Sequence, residues 1–429
     1  MKLSIGNPVL VHAPMMTEAI SRWGVYAIPR MWRVPSGEIV VRFNGEEDSS
    51  DIENLQRAPN LYFTSTDNGE SFQLCADGEE RYDISVLTGI DPPYFKLKCG
   101  DTVFVRALPH LPPIVGTRYQ KEFITPCRDA VVRTYRWGDI KRESRCILFG
   151  RIGVDGAVQT VQTDLCFPER EIHVVSEANT GDAFVKVDEY VQPSIFRLPY
   201  FSSVCELANG ELVALSCGQN PSVFDRYYGE VYLIASRDGG RSWHRRATVA
   251  GGISHLPYGY GGDGFEVSLC RGRSGDLFCV MRMDMSNDPR EGACVTDTML
   301  SISRDDGYTW SVPRPIADSS VTPHIIALGG ALLLVYGRPG VHVRYSTDNG
   351  ETWSEPYTLI GKTLEEERAL KREDYESKYG NPYSYCNTFW ERISDDEILL
   401  LYNDLTYPDR NGVPTKAAFV RRIRMDESL

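Results

Sequence analysis

The chain has 429 residues, 11% of them aromatic, with 37 glycines and 25 prolines, a composition of short strands and tight turns rather than long helices. Its formal net charge is −13 and its basic residues form no block, which argues against nucleic acid or an anionic membrane as a partner, so an anionic ligand needs a local positive pocket. The 11 cysteines include no C-x-x-C pair, which suggests neither a disulfide framework nor a metal site, and no apolar stretch is long enough to cross a bilayer as a helix.

At the N-terminus, Asn7, Pro8, His12 and Pro14 interrupt any apolar signal core within Met1–Met16, so the chain as it stands is expected in the cytoplasm. From there a turn followed by an apolar strand recurs along the sequence. It reads SGEIVVRF at Ser36–Phe43, GDTVFVR at Gly100–Arg106, NGELVAL at Asn209–Leu215, GDLFCVMR at Gly275–Arg282, GGALLLVY at Gly329–Tyr336 and DDEILLLY at Asp395–Tyr402. A seventh candidate, VDGAVQ at Val154–Gln159, reads either as one more repeat or, preferably, as a hairpin elaborating the second. Between the fifth and sixth units the charged stretch at about 363–379 has helical spacing and is expected to be a surface helix.

Interleaved with these units, an eight-residue pattern S-x-D-x-G-x-[ST]-[WF] occurs at Ser65–Phe72, Ser236–Trp243, Ser303–Trp310 and Ser346–Trp353. Its chemistry is that of a turn: the Asp carboxylate caps backbone N–H groups, the Gly takes positive φ, and the aromatic ring folds back onto the sheet. The last three boxes are spaced like consecutive four-stranded blades, and the gap between the first two must hold more than one blade.

These Asp boxes, with Phe196-Arg-Leu-Pro199 matching an F/Y-R-I/L-P motif, resemble the sialidase (neuraminidase) superfamily over nearly the whole chain. The resemblance implies an all-β fold, one six-bladed β-propeller spanning 1–429, with seven blades as the alternative. It also implies a retaining exo-glycosidase acting on a terminal acidic sugar of a glycan, without metal or organic cofactor. In that family three arginines grip the substrate carboxylate, a tyrosine activated by a glutamate attacks the anomeric carbon, and an aspartate is the acid/base.

Carried onto this sequence, the resemblance assigns Glu266 and Arg282 to the glutamate and one arginine, and Arg338, shortly before the last Asp box, to a second, with Arg344 as its competitor. For the third, Ala27 stands where the arginine belongs in Tyr26-Ala-Ile-Pro-Arg30, so Arg30 or Arg197 takes the role. In the acidic run at Asn44–Asp51, Asp51 is the acid/base candidate and Asp48 the next. The nucleophile is expected in Pro382–Thr388, where Tyr385 is preferred and Tyr383 is the alternative, although ungapped spacing puts Asn387 there. His324, at the start of a strand, is either a general acid/base or a satisfied structural residue, and His255 lies beside a glycine-rich run suited to a rim over a sugar. Two rival functions remain open on these residues: a glycosidase or lyase on rhamnosyl, arabinosyl or uronic-acid glycans, and a glycan-binding propeller without catalysis.

Overall fold

In the computed structural model of the protein the described residues are 1–13, 29–34, 36–46, 57–82, 95–107, 114, 116–125, 130–144, 146–166, 171–179, 183–186, 204–220, 228–251, 266–282, 297–318, 321–337, 340–361, 388–404, 406–412 and 417–426. They divide into two compact units. One comprises Met1–Pro93, Gly292–Thr298 and Ala317–Leu429, the other Tyr94–Glu291 and Met299–Ile316. The predicted insertion at 363–379 lies outside the described residues.

In chain order, β1 (Lys2–Ile5) and β2 (Val9–His12) precede a four-stranded antiparallel sheet of β3 (Arg30–Arg33), β4 (Ile39–Glu46), β5 (Arg57–Ser65) and β6 (Gln73–Cys75), followed by a short helix α1 (Gly78–Tyr82). The second unit opens with β7 (Phe95–Lys96) and β8 (Thr102–Ala107), then β9 (Lys121–Thr125) and β10 (Ala130–Arg136). Next come β11 (Cys146–Ile152), β12 (Val158–Cys166), β13 (Glu171–Asn179) and β14 (Phe184–Lys186). Pairing here is interleaved: β8 pairs with β11, while β10 pairs with β13 in a separate four-stranded sheet. The Val154–Gln159 segment forms the turn of the β11–β12 hairpin, so it does elaborate the second unit's sheet.

A further meander of β15 (Val204–Glu206), β16 (Leu212–Asn220), β17 (Tyr228–Ser236) and β18 (Ser242–Gly251) joins that sheet through parallel pairing of β12 with β18. It is followed by β19 (Val267–Arg271), β20 (Leu277–Arg282), β21 (Thr298–Ser303) and β22 (Arg314–Ala317). The first unit resumes with the sheet of β23 (Val321–Leu328), β24 (Ala331–Gly337), β25 (Val341–Ser346) and β26 (Tyr357–Ile360). Finally β27 (Phe389–Arg392), β28 (Glu397–Asp404) and β29 (Ala417–Asp426) form a sheet that β1 and β2 complete by pairing with β29.

Each of the six predicted apolar strands is the second strand of one of these meanders, as β4, β8, β16, β20, β24 and β28. The continuous apolar run is needed because both faces are covered: Leu332 to Tyr336 are all at most 3% exposed. Full burial of each Leu or Val contributes roughly 1.5–3 kcal/mol.

The four Asp boxes share one hydrogen-bond pattern. The first serine Oγ donates to the aspartate Oδ1 at 2.7–2.9 Å and accepts the glycine N–H at 2.7–2.8 Å. The same carboxylate accepts the N–H of the seventh residue at 2.8–3.0 Å and its hydroxyl at 2.5–2.7 Å. In the second and third boxes the indole Nε1 of Trp243 and Trp310 donates to the box glycine's carbonyl at 3.1 Å. Positive φ occupies two positions rather than the one expected, since Asn68, Gly239, Asp306 and Asn349 precede the glycines in the left-handed region.

Box glycines also sit on neighbouring sheets. A Cβ on Gly69 would meet Leu399 at 2.5 Å, one on Gly240 would meet Phe149 at 2.2 Å, and one on Gly307 would meet Leu233 at 2.1 Å. Arginines reinforce these seams. Arg422 pairs with Glu397 of its own sheet while its Nη2 donates to the carbonyl of Asn68 at 2.7 Å. Likewise Arg246 pairs with Glu211, donates to the carbonyl of Asp306 at 2.7 Å and lies 4.6 Å from the ring centroid of Tyr308.

Gly307→Ala therefore combines positive φ with a clash in a closed core and is expected to cost about 3 kcal/mol in urea denaturation. Gly210→Ala, at similar φ but with nothing within 4 Å, is expected to cost about 1 kcal/mol, and equal losses would contradict the packing role. Acid should act on the boxes too. The hydroxyls of Ser71 and Thr352 hold Asp67 and Asp348 down at about 2. A depressed carboxylate pKa stabilises the fold above the unfolded value and loses that contribution as pH falls through the folded one. Denaturation midpoints should thus decline between about pH 4 and pH 2, and this component should shrink in Asp67→Asn.

Candidate active site

In the second unit, β19 and β20 form a hairpin closed at Gly272–Gly275 and open at the other end. Val267 opposes Met281, so Glu266 and Arg282 face each other at the open end, where the Arg282 N–H donates to the Glu266 carbonyl at 2.9 Å. Cross-strand neighbours project from the same face, and Arg282 Nη1 meets Glu266 Oε2 at 3.1 Å. Their side chains are 22% and 16% exposed, leaving the pair reachable from solvent. The carboxylate orients a planar guanidinium that stays charged at any working pH.

In the first unit, Arg30 begins β3 and is 4% exposed, with its guanidinium carbon 4.6 Å from the ring centroid of Phe389 at the start of β27. His324 of β23 approaches the same ring edge-on, at 6.4 Å between centroids. Its Nε2 lies 2.9 Å from the carbonyl oxygen of Thr388. A carbonyl oxygen only accepts, so Nε2 carries the proton. Burial pushes the imidazole pKa down to about 4, outweighing the opposing effect of the Thr388 bond. His324 is accordingly neutral at pH 7, a donor to the backbone at the start of β27. Beside Arg30, its cross-strand partner Arg42 is also nearly buried at 6% exposure, so two guanidinium groups stand opposite each other on the β3–β4 ladder.

Among the sequence-predicted residues the structure brings Glu266 to Arg282, and sets both Arg30 and His324 against the ring of Phe389. Arg344 is half-buried, and its Nε donates to the Ser354 carbonyl at 2.6 Å. Ala27, Asp48, Asp51, Arg197, His255, Arg338, Tyr383, Tyr385 and Asn387 lie outside the described residues. Sequence reasoning passed over Phe389 and Arg42. The one signal for Phe389 was its place as the first apolar residue after the tyrosine-bearing segment. Among the described residues, no group of three or more His, Cys, Asp or Glu could hold a metal ion.

Residues 199–409 match the model of the BNR repeat-like domain. Sialidases from two strains of Vibrio cholerae serotype O1 are 25% identical over 167 residues, covering 32% of this chain. The chain spans about a fifth of the length of these curated relatives, 21%. A solved structure of a protein of unknown function from Dyadobacter fermentans DSM 18053 matches with a TM-score of 0.53 at 14% identity, covering 98% of this chain and 99% of that one, a likeness of fold alone. The Hadza microbial sialidase Hz136 matches with a TM-score of 0.45 at 13% identity over 93% of this chain and 66% of that one, too slight to weigh. With four Asp boxes of one geometry on antiparallel meanders and the BNR match over the later three, the chain carries a BNR repeat-like domain and is similar to the Asp-box β-propellers of the sialidase superfamily.

Proposed function

We propose that the protein is a glycoside hydrolase, specifically a retaining exo-glycosidase that releases a terminal acidic sugar, sialic acid or a relative, from a glycan. The observation that carries this reading is the Glu266–Arg282 pair at the open end of the β19–β20 hairpin. It brings together, still partly exposed, the glutamate and the arginine that the resemblance assigns to the site. The similarity to the Vibrio sialidases supports it.

In this reading Arg282 and Arg338, with Arg30 or Arg197, hold the substrate carboxylate through planar, bidentate hydrogen bonds. The Tyr385 oxygen attacks the anomeric carbon as its phenolic proton passes to Glu266, while Asp51 protonates the departing glycosidic oxygen. Asp51 then takes a proton from water, whose oxygen displaces the phenolate, and Glu266 returns its proton to restore the tyrosine, so the anomeric configuration is retained. A neutral phenol suits a substrate that brings its own negative charge, because a carboxylate nucleophile would be repelled.

The assay is fluorescence release from 4-methylumbelliferyl sialoside. Arg282→Ala should reduce kcat/KM about 100-fold, since it removes a charged ligand and leaves Glu266 without this partner. Glu266→Gln should lower kcat with little change in KM. Absence of release by the wild type, or full activity in Arg282→Ala, would remove the assignment.

A further inference from the structure

We infer that Phe389 is a positioning residue for Arg30: its ring fixes the plane of the guanidinium, and His324 fixes the ring. Arg30 enters in the role proposed for it above, as a ligand of the substrate carboxylate. An arginine side chain has many rotamers, and a bidentate grip on a carboxylate needs only one plane. The guanidinium carbon stands over the Phe389 ring, 4.6 Å from its centroid, where a cation is attracted to the π face. Arg42, directly opposite on β4, places a like charge beside Arg30, and like charges at opposed ladder positions repel. The ring counters that repulsion by giving the Arg30 charge a favourable seat.

Phe389 is itself held. It is 4% exposed and begins β27, its backbone neighbour Thr388 is tied by the carbonyl to His324 Nε2 at 2.9 Å, and the imidazole packs T-shaped against the ring. Three strands, β3, β23 and β27, thereby converge on one guanidinium. The ring itself adds no negative charge to the seat it gives Arg30.

The test is a double-mutant cycle on the full chain with 4-methylumbelliferyl sialoside, with thermal melts alongside. Phe389→Leu should raise KM about tenfold with kcat within about twofold, the scale of a buried cation–π contact. Phe389→Tyr, which keeps the π face, should retain the wild-type KM. In an Arg30→Lys background, where there is no planar group to orient, Phe389→Leu should change KM by less than about twofold. Should the leucine variant not fold, Phe389→Met fills the volume flexibly and takes its place in the cycle. An unchanged KM in Phe389→Leu, or an equal rise in both backgrounds, would overturn the positioning role. A wild type without turnover would instead overturn the proposed function itself, and the inference with it.

Discussion

The architecture hangs on a serine hydroxyl buried at the first position of each Asp box. Ser65, Ser236, Ser303 and Ser346 are at most 2% exposed, and each Oγ both donates to the box aspartate and accepts the box glycine's N–H. A buried hydroxyl left without partners costs about 1–3 kcal/mol, so the serine, the aspartate and the turn form together. Once the turn is closed, its glycine presents a bare Cα to the neighbouring sheet, and Leu399, Phe149 and Leu233 fill the space in three of the boxes. One local motif thus sets both the hairpin and the seam between sheets, because the conformation that needs glycine is also the one that lets the sheets approach.

That coupling explains what was legible in the sequence. A box is eight residues long and keeps its Ser–Asp–Gly hydrogen bonds within itself, and each of the six apolar strands is marked by the tight turn just before it. The interleaving of β7–β14 was not legible, because it depends on β10 pairing with β13 across the β11–β12 hairpin. Nor were the arginines of the seams. Arg246 and Arg422 stand in strands with nothing local to mark them, and their partners Asp306 and Asn68 belong to boxes of other sheets. The second left-handed position was readable in principle: Asn68, Asp306 and Asn349 are the residue types that tolerate it besides glycine.

The candidate site divides the same way. Glu266 and Arg282 could be paired from sequence because one short turn separates their strands, so hairpin register alone puts them opposite each other. Arg30 and Phe389 come from opposite ends of the chain, and only the packing of β3 against β27 joins them. His324 was expected at a strand start and lies three residues inside β23, and its neutral state follows from burial, which outweighs the Thr388 carbonyl 2.9 Å away and which periodicity does not reveal.

The two arginines also show two ways of keeping a cation out of water. Arg282 is held by a carboxylate, which orients the guanidinium and offsets much of its charge. Arg30 is held by an aromatic face, which orients without cancelling, and Arg42 beside it adds charge of the same sign. In a chain of net charge −13 an anionic ligand is repelled at long range and must be attracted at short range. An aromatic face can seat an arginine without itself compensating the field that the guanidinium projects.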